Sequence, residues 1–135
     1  MIHILTPVDG SEPSLRAVEL AAKLARGLDS KLTILAVRQY IVGRKLVANI
    51  WSQDDVNALL KKAKEAAAAL GMKDAATAEV KSRDVAHAIV DYAEQHDADL
   101  IVMGASGMGS LKSFVIGSVS ADVLRKSICP VTIVH

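Results

Sequence analysis

Five short apolar runs alternate with stretches of helical periodicity, and that alternation leaves few ways to fold. The runs are Ile2–Val8, Lys31–Val37, Ala75–Val80, Asp99–Met103 and Cys129–Val134. After the first run, Ser11-Glu12-Pro13-Ser14 supplies a capping side chain and a proline suited to a first turn. Leu15, Val18, Ala22 and Ala25 then recur at helical spacing, and Gly27 is placed as a stop. Ser52 and Asp55 form a capping box with Asp where Glu or Gln is usual, and an apolar stripe runs on to Leu70 and Gly71. Asp84 is placed to cap a third helix carrying Val85, Ala88, Ile89 and Tyr92, and a fourth is expected from about Ser118 to Ser127. Strands separated by helices require right-handed crossovers, so the pattern predicts an α/β fold with a five-stranded, doubly wound parallel sheet. Arg38 to Trp51 breaks the rhythm and reads as a loop or partial turn over the sheet edge.

No composition shift, linker or internal repeat divides the 135 residues, so 1–135 reads as one domain. Lys+Arg 16 against Asp+Glu 15 gives no electrostatic argument for nucleic acid or an acidic membrane surface as partner. One cysteine, Cys129, excludes an internal disulfide and suits a reducing compartment. The N-terminal residues lack a basic segment and a long apolar core, and no apolar run reaches the ~20 residues of a bilayer span. The expectation is a cytoplasmic chain.

The fourth run empties into a glycine-rich stretch: Gly104, Gly107 and Gly117, with Ser118 opening the next helix. Glycine lets backbone N–H groups turn inward and a ligand approach, while a helix start adds unpaired donors and the positive end of its dipole. Such a stretch is physically an anion cradle, with a phosphate as the expected occupant; tight turns in a long connection are the alternative. It is neither a Walker A loop, lacking the closing Gly-Lys-Ser/Thr, nor the dinucleotide fingerprint. In a doubly wound sheet ligands sit beyond the carboxyl ends of the strands where strand order reverses. Asp9, after the first strand, therefore becomes a candidate neighbour of the cradle, with a local turn or cap role as the alternative. Lys112 lies in the loop, where a solvated side chain is the ordinary reading.

Other chemistry has less support. His3, His87, His96 and His135 form no metal-ligand spacing, and the loop serines lack a histidine placed to serve as base. Cys129 reads as a small buried hydrophobe, Lys61, Lys62 and Lys64 as a wet helix face, and Trp51 as a seat for the second helix.

The stretch Gly-Ala-Ser-Gly, nine residues, Gly-Ser, set within Asp-Leu-Ile-Val-Met-Gly, resembles the nucleotide-binding motif of the universal stress protein family. Pro-Val-Asp-Gly-Ser near the start and Cys-Pro-Val-Thr-Ile-Val at the end are similar to the same family. The resemblance implies an adenine nucleotide α-hydrolase-like sheet with strand order 3-2-1-4-5. It also implies ATP binding, with Mg²⁺ or Mn²⁺ carried on the phosphates near Asp9, and a homodimer joined through strand 131–134. Carried onto this chain, Gly104, Gly107, Gly117 and Ser118 hold phosphates and ribose, with Val119 and Ser120 at the helix start. Pro7, Val8 and Asp9 line the adenosine side, Met103 the pocket floor, and Val37 flanks the adenine. Two departures stand out. Ala105 and Ser106 occupy positions where a basic residue is common, and Ser82-Arg83-Asp84 follows the third strand where glycine is common. No dedicated base or arginine finger is evident, so any turnover of bound nucleotide is expected to be slow. A nucleotide-free interaction module, or a slow ATP-hydrolysing enzyme on the same fold, are the alternative readings.

Overall fold

The computed structural model describes residues 1–43, 47–49, 51–105 and 116–135. In chain order the elements are β1 (His3–Val8), α1 (Glu12–Gly27), β2 (Lys31–Val42), β3 (Val47–Asn49) and α2 (Gln53–Ala69). They continue as β4 (Ala76–Ser82), α3 (Val85–Gln95), β5 (Leu100–Gly104), α4 (Ser118–Lys126) and β6 (Val131–Val134). The parallel strands are ordered β4-β2-β1-β5-β6, which among the five is the expected 3-2-1-4-5.

The start signals act as the sequence suggests. Ser11 Oγ accepts from Ser14 N, Ser52 and Asp55 form a reciprocal capping box, and Asp84 Oδ1 accepts from His87 N. Alternate strand residues then separate two cores. Ile4, Val8, Leu32, Ile34, Ala36 and Val102 pack under α1 and α2, with Trp51 against them. Leu5, Leu35, Val37, Ile101 and Met103 pack with Ile89 of α3 and Val123 of α4.

The second strand runs beyond the expected Val37, and the segment expected to be a loop is partly sheet. β2 continues to Val42 and pairs antiparallel with β3, Tyr40 opposite Asn49 and Val42 opposite Val47. Tyr40, Ile41 and Val42 are strand formers, but they stand among cations and without an apolar-polar alternation to mark them. Arg38 anchors the base of this hairpin, its Nε donating to Trp51 O at 3.0 Å and its Nη1 to Gln53 Oε1 at 3.0 Å.

His3 is structural, as its place among core residues suggested. It is buried, with Nδ1 2.9 Å from His96 O and Nε2 2.8 Å from Thr33 Oγ1. His96 stacks on Tyr92 with ring centroids 3.8 Å apart. No helix is long and apolar enough to cross a membrane among the described residues.

Candidate functional site

β1 lies between β2 and β5, and the chain leaves its carboxyl end in opposite directions on the two sides. The helix after β1 covers one face; the helix after β5 covers the other. The β1–β2 register sets Val8 opposite Ala36, and carrying the β1–β5 register forward sets Val8 level with Gly104. Asp9 and Ala105 follow directly on the ends of β1 and β5, and Val37 follows Ala36 in β2. Strand order thus brings together residues far apart in sequence.

The turn after β1 is closed by its own side chains. Asp9 Oδ1 accepts from Ser11 N at 2.9 Å, Asp9 N donates to Ser14 Oγ at 3.1 Å, and Ser14 N donates to Ser11 Oγ at 3.2 Å. Gly10 takes a positive φ of 86°, which a side chain would resist. The local role foreseen for Asp9 is therefore present. Its second oxygen, Oδ2, makes no hydrogen bond among the described residues and remains available to a ligand.

Gly104 has a steric reason that spacing alone did not reveal. A Cβ there would stand 2.8 Å from both Pro13 C and Ser14 N, so the first turn of α1 rests directly on the end of β5. Sequence reasoning missed Pro13 and Ser14 as parts of the site. Their signal was present, a capped helix start straight after strand one, but it pointed to a neighbour across the sheet only once strand order was known.

The far end of the glycine-rich connection is clamped onto its beginning. Ala105 O accepts from Gly117 N at 2.6 Å and from Ser120 Oγ at 2.6 Å, while Ala105 N donates to Val134 O at 2.8 Å. The N-cap of α4 is Gly117, and no side chain caps this helix, whereas α1, α2 and α3 all have one. Among the described residues, the first-turn amides of Ser118, Val119 and Ser120 have no side-chain acceptor.

Of the expected site residues, Val37 and Met103 pack under α3 and α4, and strand alternation sets the buried Pro7 on the same face as Leu5. Val8 does not join them: its side chain packs under α1 and α2, leaving its backbone to the crevice. Val119 packs against the α3–α4 core. Ser120 is 2% exposed, with its hydroxyl committed to the clamp, so its backbone amide is what it can offer. Ser118 is exposed at the helix start. Gly107 and Lys112 lie outside the described residues. No group of three His, Cys, Asp or Glu converges as a metal-binding set among the described residues.

Residues 1–135 match the Universal stress protein family. Universal stress protein YxiE of Bacillus subtilis is 33% identical, the alignment covering 98% of this chain and 97% of that protein. A universal stress protein of Methanocaldococcus jannaschii is also 33% identical, over 97% of this chain and 80% of its own length. A crystal structure of a universal stress protein in complex with cAMP superposes with a TM-score of 0.79 at 30% identity, covering 99% of this chain and 96% of that one. A universal stress protein from Archaeoglobus fulgidus in complex with dAMP shares the fold at 22% identity and a TM-score of 0.77, covering 100% of this chain and 98% of that one. The crossover pattern, the glycine-rich connection after β5 and these full-length likenesses converge: this chain belongs to the universal stress protein family.

Proposed function

We propose that the chain binds an adenine nucleotide, ATP foremost, in the crevice between the carboxyl ends of β1 and β5. It would do so as one domain of a cytoplasmic, homodimeric stress-response module. The observation that carries this reading is α4, the helix of the four without a side-chain cap, whose first turn opens at the switch point. Its amides and dipole suit the phosphates, with Gly104, Gly107, Gly117 and Ser118 shaping the cradle. Pro7, Asp9, Val37 and Met103 would receive the adenosine, Asp9 Oδ2 accepting from a ribose hydroxyl or from water on a phosphate-bound Mg²⁺ or Mn²⁺. The 30% identical relative solved with cAMP supports an adenine nucleotide in this class of crevice.

The donor set fits a phosphate because backbone amides need no cation to orient it, though without one affinity is modest. The ion's chemistry would be charge neutralisation on the phosphates. This chain's part is to hold the nucleotide in place.

The test is calorimetric titration of ATP, AMP and cAMP with and without Mg²⁺, alongside analysis of small molecules released on denaturing the purified protein. Binding to wild type, lost in Gly117→Val with the circular dichroism unchanged, is the expected result. No released nucleotide and no heat at millimolar ATP would overturn the proposal in favour of a nucleotide-free interaction module. Rapid ADP release would instead mark an enzyme.

A further inference from the structure

At the opposite end of the sheet, the C-terminal ends of α1 and α2 diverge around an open groove of about 780 Å³. Its lining is Lys23, Arg26, Gly27, Ala68, Ala69, Leu70, Gly71 and Lys73. The groove is open because its walls are small. At Gly27 an added Cβ would meet nothing within 4 Å, and Ala68 and Ala69 contribute only methyl groups. Lys23, Arg26 and Lys73 rim it, and no carboxylate lines it. None of these three cations takes part in the ion pairs between described residues.

Arg26 passes close to Gly71. Gly71 has a φ of +92°, and a Cβ there would lie 3.1 Å from Arg26 Nη1, 3.2 Å from its Cδ and 3.3 Å from its Cζ. The Arg26 side chain therefore passes over the glycine that follows α2, and a larger residue there would displace it. Several helix-end carbonyls are occupied internally: Ala67 O accepts from Leu70 N and Met72 N, Ala68 O from Gly71 N, and Arg26 O from Asp29 N. The backbone at these helix ends thus draws on its own N–H groups, and no bond between described residues commits the donors of the three cations.

We infer that this groove is a second anion site, taking a soluble di- or triphosphate group. A guanidinium offers paired donors to phosphate oxygens, and two ammonium groups supply further charge. The site lies at the amino ends of the strands, far from the crevice, and does not depend on nucleotide binding there.

The test titrates inorganic tripolyphosphate into ¹⁵N-labelled protein at physiological salt, with the crevice saturated by adenosine nucleotide or left free. Saturable shifts at the Gly27, Gly71 and Lys73 amides are expected, unchanged by the nucleotide. Arg26→Gln, and separately Lys23→Gln combined with Lys73→Gln, should weaken this binding roughly tenfold or more while leaving thermal unfolding near wild type. All three residues are exposed, so the variants are expected to fold. The inference fails if no saturable shift occurs at millimolar tripolyphosphate, if shifts are confined to crevice residues, or if the variants bind as tightly as wild type.

Discussion

Thr6 is fully buried in β1, and its Oγ1 has no hydrogen-bond partner. A hydroxyl desolvated without compensation is a cost, and valine has nearly the same shape. Thr6→Val is therefore expected to stabilise the protein by about 1 kcal/mol, read as a higher urea midpoint with an unchanged slope. A lower midpoint would mean the hydroxyl is satisfied by water. Gly104 runs the other way. Its missing Cβ is what lets Pro13 and Ser14 approach, and both nearest atoms are backbone. Gly104→Ala should cost about 1–3 kcal/mol by overpacking, and it should weaken nucleotide binding as α1 shifts. A variant as stable as wild type would show that the first turn of α1 yields freely. The same glycine was legible in the sequence only as a cradle residue, because the atoms it makes room for lie some ninety positions earlier in the chain.

Helix starts were the most legible elements, since the capping bond is local. Ser52 N donates to Asp55 Oδ2 at 3.0 Å, and Asp55 N donates to Ser52 Oγ at 3.1 Å. The backbone bond from Ser52, with a smaller contribution from its side chain, lowers the Asp55 carboxyl below its ordinary 3.8. A depressed carboxylate favours the fold above its unfolded value, and that contribution is lost as pH falls through the lower folded value. Asp55→Asn should therefore be less stable than wild type at neutral pH, with the gap closing in acid below the carboxylate range. Denaturant midpoints across that range measure it, and a pH-independent gap would assign the effect to packing instead. Tyr92 shifts oppositely: partial burial raises its phenol. Its contribution is full below the unfolded value and lost as pH rises through the folded one, so Tyr92→Phe should flatten the alkaline decline in stability. The β2–β3 hairpin was hidden at this scale. Ile41 and Val42 are exposed, so no buried face imposed a clear alternation on the segment.

For the whole molecule, the open question is the free edge of β6. Ile101 N donates to Pro130 O and Ala105 N to Val134 O, so even-numbered residues of this strand turn their backbone groups to β5. Val131 and Ile133 turn theirs outward, an edge unpaired among the described residues and close in sequence to Ile128, which is 83% exposed. The proposed dimer would pair there. Sedimentation equilibrium should give twice the chain mass, and Ile133→Pro, which removes an outward N–H, should halve it. A monomeric wild type, or a proline variant that remains dimeric, would rule out this edge.

The sequence by itself determined the alternation of strands and helices, the caps and the glycine spacing, because periodicity, capping and backbone freedom act within a few residues. Only the tertiary structure decided that β1 lies between β2 and β5, that Val8 packs its side chain under α1 and α2, and that Gly104 makes room for α1. Those facts depend on which strands pair and in what register. Long-range packing sets that pairing, and no local stretch of chain carries it.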